Sequence, residues 1–383
     1  MSRAIASTAD FRTLARGRLP HFLFEYYDGA AFDGVTARAN ERDLLDVELR
    51  QRVLCDVAEI STRVRLWDDD MALPLALSPV GLAGMAASRG EVQAARAAAA
   101  AGIPLSLSTT SVCRLDEVAR VAPPWFQLYM VRDRGFVEAL IGEAARQGCK
   151  TLLMTVDLPV LGTRWRDAHS GLWDRTAWGA LRRGGQMLAR PGWSFDVGFR
   201  GRPHNLGTIA RFLGRDDTPL GDCMAFTNGN MEAKLDWTAL QWVRDRWDGR
   251  LLVKGVLESD DAEAAIAGGA DGIVVSNHGG RQLDGVASTA CALPRIAAAV
   301  QGRVPLLVDG GVRSGLDVLR MLALGAQGVM IGRPWVFALA AAGERGVRQL
   351  IELISAELRI AMALTGCRDI AAIGPETIRR GID

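Results

Sequence analysis

From residue 73 onward the chain repeats one pattern. A short, mostly apolar run is followed by a longer stretch in which apolar residues recur at helical spacing. The short runs are "LPLALS" (73–78), "IPLSLST" (103–109), "WFQLYM" (125–130) and "TLLMTVD" (151–157). Four more follow: "LLVKG" (251–255), "GIVVS" (272–276), "VPLLVD" (304–309) and "GVMIG" (328–332). Continuous rather than alternating apolarity is what parallel strands buried on both faces require. The intervals are rich in Ala and Leu, as in "GEVQAARAAAAAG" and "DRGFVEALIGEAARQG", and close on glycine as helices do. Eight such βα units predict a TIM barrel, (β/α)8, over about residues 73–365. A doubly wound sheet is the rival, but it needs a reversal of strand order that no feature marks. Residues 1–72 read as a helical N-terminal extension, and 158–236 as a long insertion after the fourth strand, before a helix around 237–247. The whole chain, 1–383, is expected to form a single domain.

Composition narrows the class. With 383 residues, 49% of them hydrophobic, the chain is long enough for a large core, and a net charge of +1 gives no general attraction to nucleic acid. The six cysteines (55, 113, 149, 223, 291, 367) lie far apart, without metal-ligand spacing, which fits unpaired thiols in a reducing compartment. The N-terminus "MSRAIASTADFRTLARGRLP" has no apolar signal core, and no apolar run reaches the ~18 residues of a membrane span. The expectation is an intracellular chain that does not cross a membrane.

In a barrel of this kind, chemistry gathers just beyond the C-terminal ends of the strands. Those positions hold Ser108, Gln127, Tyr129, Thr155, Asp157, Lys254, Ser276, His278, Asp309 and Arg333. Any one of them has an ordinary structural explanation, since Ser, Thr and Asp often cap the next helix. Structural polarity has no reason to collect at one end of a barrel, and ten such residues do. After the last two strands, "DGGVRSG" (309–315) and "GRP" (332–334) put glycines and arginines where barrels bind phosphate. In "SNHGGRQLDG" (276–285), His278 is placed as a general base, Asp157 as its partner across the mouth, and Arg281 as a fork for a carboxylate. The competing reading of His278 is a residue capping a tight turn. His21, His169 and His204 fall outside this set and read as structural or surface residues, and no second histidine near His278 makes a metal site.

These residues resemble a family, the FMN-dependent L-2-hydroxy acid oxidising enzymes, which includes glycolate oxidase and mandelate dehydrogenase. The likeness runs nearly end to end, through "FLFEYYDGA" (22–30), "LALSPVGLAGM" (75–85), "LSTTSV" (107–112), "WFQLYMVRDRG" (125–135), "TVDLPVLGTRWRDAHSG" (155–171) and "LVDGGVRSGLDVLRMLALGA" (307–326). "RDAHSG" and "DVGFRGRPHNLG" look most like its bacterial quinone-linked L-lactate dehydrogenase branch. The resemblance implies FMN as cofactor. Pro79, Val80, Gly81, Ser108, Gln127 and Thr155 would line the flavin ring, with Ser276 beside them and Lys254 stabilising negative charge at its N1/O2 edge. Asp309, Gly310, Gly311, Arg313, Gly332 and Arg333 would hold the ribityl chain and phosphate. Tyr26, Tyr129, Arg164 and Arg281 would grip substrate carboxylate and hydroxyl, His278 would act as base, and Asp157 as its partner. Tyr26 and Arg164 enter only through the resemblance, one lying before the barrel and the other in the insertion.

The implied reaction is oxidation of an L-2-hydroxy acid, L-lactate foremost, to the 2-oxo acid. Within the insertion, residues 170–193 interleave Trp173, Trp178 and Trp193 with Arg175, Arg182, Arg183 and Arg190. Such a segment suits the surface of an anionic membrane, and a membrane quinone is then the electron acceptor. That places the chain peripherally on the cytoplasmic face of the inner membrane. If the segment is only a lid over the site or an oligomer contact, the chain is cytoplasmic. The alternatives are a soluble oxidase using oxygen, a mandelate dehydrogenase, and a non-redox phosphate-binding barrel. Related enzymes imply a homo-oligomer, a tetramer.

Overall fold

The computed structural model describes residues 4–174 and 176–381. Eight parallel strands form the centre: β1 (Leu75–Leu77), β2 (Ser106–Ser108), β3 (Trp125–Tyr129), β4 (Thr151–Thr155), β5 (Arg250–Val256), β6 (Gly272–Val275), β7 (Leu306–Val308) and β8 (Gly328–Ile331). Each strand pairs with its sequence neighbour, and β8 returns to β1 with Val329 opposite Leu75. The ring closes at the β1–β2 seam through a parallel bridge between Leu77 and Leu105, where the Leu77 amide donates to the Pro104 carbonyl at 2.9 Å. The expected barrel is therefore present, with every strand where the apolar runs put it. The ends differ by one to three residues: β2 starts at Ser106, β5 runs on to Val256 and β7 stops at Val308, short of Asp309.

Inside the barrel Ala76, Trp125, Leu153, Leu252, Val274, Leu307 and Met330 make a closed apolar cluster. Trp67, on the turn between the paired strands Val64–Leu66 and Asp69–Met71, packs against it and meets Trp125 edge to face at 6.3 Å. Its indole N–H is satisfied by the Asp271 carbonyl at 2.9 Å. With one end filled by side chains, the polar strand ends at the other are left to build a site. Helices cover the outer faces of the strands in a second, larger core.

Three helices precede the barrel: Thr8–Arg18, His21–Asp28 and Val35–Asp46. The first packs along the last helical segment, Arg333–Thr365, which breaks at Ala342–Gly343. The second carries Tyr26 to the barrel mouth, and its neighbour Tyr27 fixes the helix by donating to the Leu82 carbonyl at 2.7 Å.

The insertion is mostly helical, with segments at Trp165–Ser170, Ala177–Leu188, Pro191–Trp193, Ser194–Arg200, Gly207–Phe212 and Leu220–Gly229. One expectation for it is corrected. Trp193 does not face outward: it is buried against Phe22, and its indole N–H donates to the Met85 carbonyl at 2.7 Å. Phe195 and Phe199 are exposed instead, stacked on each other at 6.1 Å. Arg175, counted in the basic stretch, lies outside the described residues. Among the described residues no helix is long and apolar enough to cross a membrane.

Candidate active site

The loop after β6 turns sharply. His278 has φ +57°, in the left-handed region that non-glycine residues seldom adopt, and such strain concentrates at functional sites. Gly280 follows with φ +70°, and a side chain there would press into the backbone of Ala37, so the loop lies flush on helix Val35–Asp46. The same helix supplies Asn40, whose amide exchanges two 2.8 Å hydrogen bonds with that of Asn277. The turn is thereby held in one position, with the imidazole aimed into the barrel mouth.

His278 Nδ1 lies 3.0 Å and 3.2 Å from the two carboxylate oxygens of Asp157. A carboxylate only accepts, so Nδ1 carries the proton and Nε2 keeps its lone pair. Burial alone would push the Asp157 carboxyl up, but the facing imidazole and the Lys254 ammonium outweigh it and hold the group below the usual range. Burial pulls the His278 imidazole below its ordinary value, and Asp157 offsets this only in part. The resting pair is therefore carboxylate and neutral imidazole, the form a general base requires. Gln282 bridges the Asp157 and Val160 carbonyls at 2.9 Å and 3.0 Å, tying the loops after β4 and β6 together.

Beside the dyad is a cavity of about 660 Å³, within the usual size of small-molecule sites. Its walls contain Tyr26, Pro79, Val80, Gly81, Gln127, Tyr129, Thr155, Arg164, Lys254, His278, Arg281, Asp309, Gly310, Gly311, Arg313, Gly332 and Arg333. Three expected residues stand behind that wall. Asp157 reaches the cavity through His278, Ser276 accepts from Lys254 Nζ at 2.8 Å, and Ser108 donates to Gln127 Oε1 at 3.1 Å. Gln127 in turn donates to Thr155 Oγ1 at 3.1 Å, so these polar groups form one chain across β2, β3 and β4.

The buried cations crowd one side of the cavity. Arg281 lies over the Tyr26 ring at 5.0 Å, and its Nη1 donates to the Tyr26 and Gly29 carbonyls at 2.6 Å and 3.0 Å. Arg164 stands beside it, donating through Nε to the Arg281 carbonyl at 3.3 Å. Burial, then the neighbouring Arg164, brings the Arg281 guanidinium down to about 10. Tyr129 closes this end, its phenol pushed up by burial and then by the Asp157 charge. Arg333 is next to Arg281: it shares the Gly29 carbonyl, at 2.7 Å, and also donates to the Gly279 carbonyl at 2.9 Å. Burial, then Arg281 and Arg313, brings it down to about 9. Arg313 pairs with Glu41 at 2.6 Å.

These residues fit FMN. Arg333 is a buried cation held by neutral carbonyls, next to the open backbone of Gly310 and Gly311, and a phosphate would satisfy both. Asp309 Oδ1 and Ser78 Oγ are buried at the cavity without hydrogen-bond partners, as polar atoms awaiting a ligand are. Lys254, between Ser276 Oγ and Asp309 Oδ2 at 3.2 Å, sets one fixed positive charge in the cavity wall.

Ser78, Thr110 and Asp167 line the cavity and were missed, as was helix Leu220–Gly229 with Met224, Thr227 and Asn228. Ser78 directly follows β1 and was open to the strand-end argument. The others lie in loops or the insertion, where no periodicity points inward. Among the described residues no cluster of side chains could hold a metal ion.

A closed parallel barrel with a histidine–aspartate dyad at its mouth, a group of buried arginines and a glycine-lined cradle beside them defines a flavin-dependent oxidoreductase. Residues 15–380 match the family model described as FMN-dependent dehydrogenase, and the chain belongs to that family, with FMN as its cofactor. It is 57% identical over 371 residues to an L-lactate dehydrogenase from Caulobacter sp. (strain K31), covering 96% of this chain and 97% of that one. It is 51% identical over 378 residues to an L-lactate dehydrogenase from Pseudomonas aeruginosa (strain LESB58), covering 98% of both. The fold matches the crystal structure of the monotopic membrane protein (S)-mandelate dehydrogenase with a TM-score of 0.92 at 34% identity, over 98% of this chain and 100% of that one. A mandelate oxidase structure matches with a TM-score of 0.82 at 36% identity, over 99% and 100% of the two chains. The family removes the non-redox phosphate-binding barrel from consideration.

Proposed function

We propose that the chain oxidises L-lactate to pyruvate on FMN and passes the electrons to a membrane quinone. FMN-dependent oxidation of a 2-hydroxy acid is the reaction of its class; the choice of L-lactate rests on the relatives above 50% identity, which carry that name. The observation that carries the mechanism is the 3.0 Å His278–Asp157 contact in a cavity that also presents Arg164 and Arg281.

Bound FMN supplies the two-electron acceptor. Arg281 and Arg164 hold the substrate carboxylate, which fixes the position of its Cα and hydroxyl. Tyr26 and Tyr129 hydrogen-bond to that end of the substrate. His278 Nε2 takes the hydroxyl proton, and Asp157 stabilises the imidazolium that results. Lys254, in the cavity wall, would hold the flavin and lend its positive charge to the reduced cofactor. Pro79, Val80, Gly81, Gln127 and Thr155 shape the ring pocket, while Asp309, Gly310, Gly311, Arg313, Gly332 and Arg333 form the phosphate end. Ser108 and Ser276 orient Gln127 and Lys254 from behind.

The insertion supports a membrane quinone as the acceptor. On helix Ala177–Leu188 the exposed Trp178, Leu181 and Leu188 recur at spacings of three and seven, so they share one face. Exposed Arg182 lies on this helix, and exposed Phe195, Phe199 and Arg200 follow it. An apolar face beside cations is built to lie on an anionic bilayer, and the (S)-mandelate dehydrogenase of matching fold is itself a monotopic membrane protein. The chain would then sit on the cytoplasmic face of the inner membrane. Steady-state turnover of L-lactate with a soluble ubiquinone analogue or with oxygen tests this: the quinone should be the faster acceptor, and faster turnover with oxygen would make the protein an oxidase.

A further inference from the structure

The substrate end of the cavity has two cations and a third charged group not yet used. Asp167 lines the cavity with its side chain only 4% exposed. One oxygen, Oδ2, stands 4.0 Å from Arg164 Nη1, and Oδ1 is buried without a hydrogen-bond partner. Trp173 lies in the same stretch of cavity wall. Other acids nearby are already committed, since Asp28 binds both Arg12 and Arg166. Arg281 and Arg164 are themselves held by backbone carbonyls, which carry no charge.

We propose that Asp167 is a positioning residue that sets the net charge of the substrate pocket, offsetting one of the two guanidiniums so that a 2-oxo acid product is released rather than trapped. The inference rests on reading Arg164 and Arg281 as the carboxylate clamp. With Arg333 committed to the FMN phosphate, Arg164, Arg281 and Asp167 together leave one positive charge, which one monocarboxylate balances. Without the Asp167 charge, an entering anion meets both cations unopposed in a desolvated site, where such terms are strong. Burial is the larger influence and raises its carboxyl above the ordinary value, while the charges of Arg281 and Arg164 oppose it.

The test is calorimetric titration of the FMN-loaded protein with oxalate, an unreactive carboxylate, in wild type, Asp167→Asn and Asp167→Glu. Asp167→Asn should bind oxalate about tenfold more tightly, with KM for the 2-hydroxy acid and kcat both falling as product leaves more slowly. Asp167→Glu, which keeps the charge, should stay close to wild type. Equal or weaker oxalate binding by Asp167→Asn, with normal FMN content, overturns the proposal. Should that variant fail to fold, Asp167→Ser carries the same neutral charge and the same expectation. If wild type itself does not bind oxalate, the clamp reading is what fails.

Discussion

At the residue scale the function rests on a few side chains whose charge states are fixed by burial and by one another. His278→Ala should keep FMN bound, because the contacts at the phosphate end do not involve it. Its rate of flavin reduction by substrate should fall by about 100-fold or more; a near-normal rate in anaerobic stopped flow would remove His278 as the base. The pH dependence has a definite sign. The base works as neutral imidazole, and burial places its titration below the ordinary histidine value. kcat/KM should therefore be level near neutrality and fall about tenfold per pH unit only below that lowered value. Asp157 raises the His278 pKa, so Asp157→Asn should move the acid limb to still lower pH while reducing kcat. An acid limb that moves upward would contradict the pairing. At Gly81 a methyl group would come within 2.5 Å of Thr110 Oγ1 and 3.1 Å of the Tyr26 hydroxyl, so a side chain there would narrow the cavity. Gly81→Ala should lower kcat/KM for L-mandelate about tenfold more than for L-lactate, as measured by steady-state kinetics with both acids.

At the scale of elements, what was legible followed from periodicity and what was not lacked it. Buried parallel strands must be apolar on both faces, so all eight announced themselves, and their first polar residues named most of the site. Arg164 and Tyr26 had no such signal, because the insertion and the N-terminal helices contribute to the site from outside the repeat. The insertion also shows where composition misleads. Trp173, Trp178 and Trp193 look alike in a basic stretch, yet Trp178 is 73% exposed, Trp193 is buried, and Trp173 stands in the cavity wall. Burial of Trp193 depends on the Met85 carbonyl and on Phe22, partners far away in sequence. The outward face is accordingly Trp178, Leu181 and Leu188, and changing all three to serine should abolish sedimentation with anionic vesicles, each loss weakening binding by about 2 kcal/mol. FMN reduction by substrate should persist in that variant. Continued sedimentation would place the membrane contact elsewhere.

At the scale of the whole molecule, the barrel separates stability from chemistry. One end is closed by Trp67 and the apolar layer that includes Leu153 and Leu252, while the other holds charges that would be costly without their partners or ligand. Leu252→Ala should therefore cost about 3 kcal/mol of stability in denaturant unfolding and leave the substrate specificity of the remaining folded enzyme unchanged. In the proposed function one cavity brings FMN, a carboxylate clamp and the His278–Asp157 base to bear on L-lactate. The most direct measurement is the absorbance of the purified FMN-loaded protein, scanned without oxygen before and after L-lactate is added. Bleaching of the oxidised flavin band, with pyruvate formed in equal amount, is the expected result. A flavin band that L-lactate leaves untouched, in protein carrying its full complement of FMN, would contradict it.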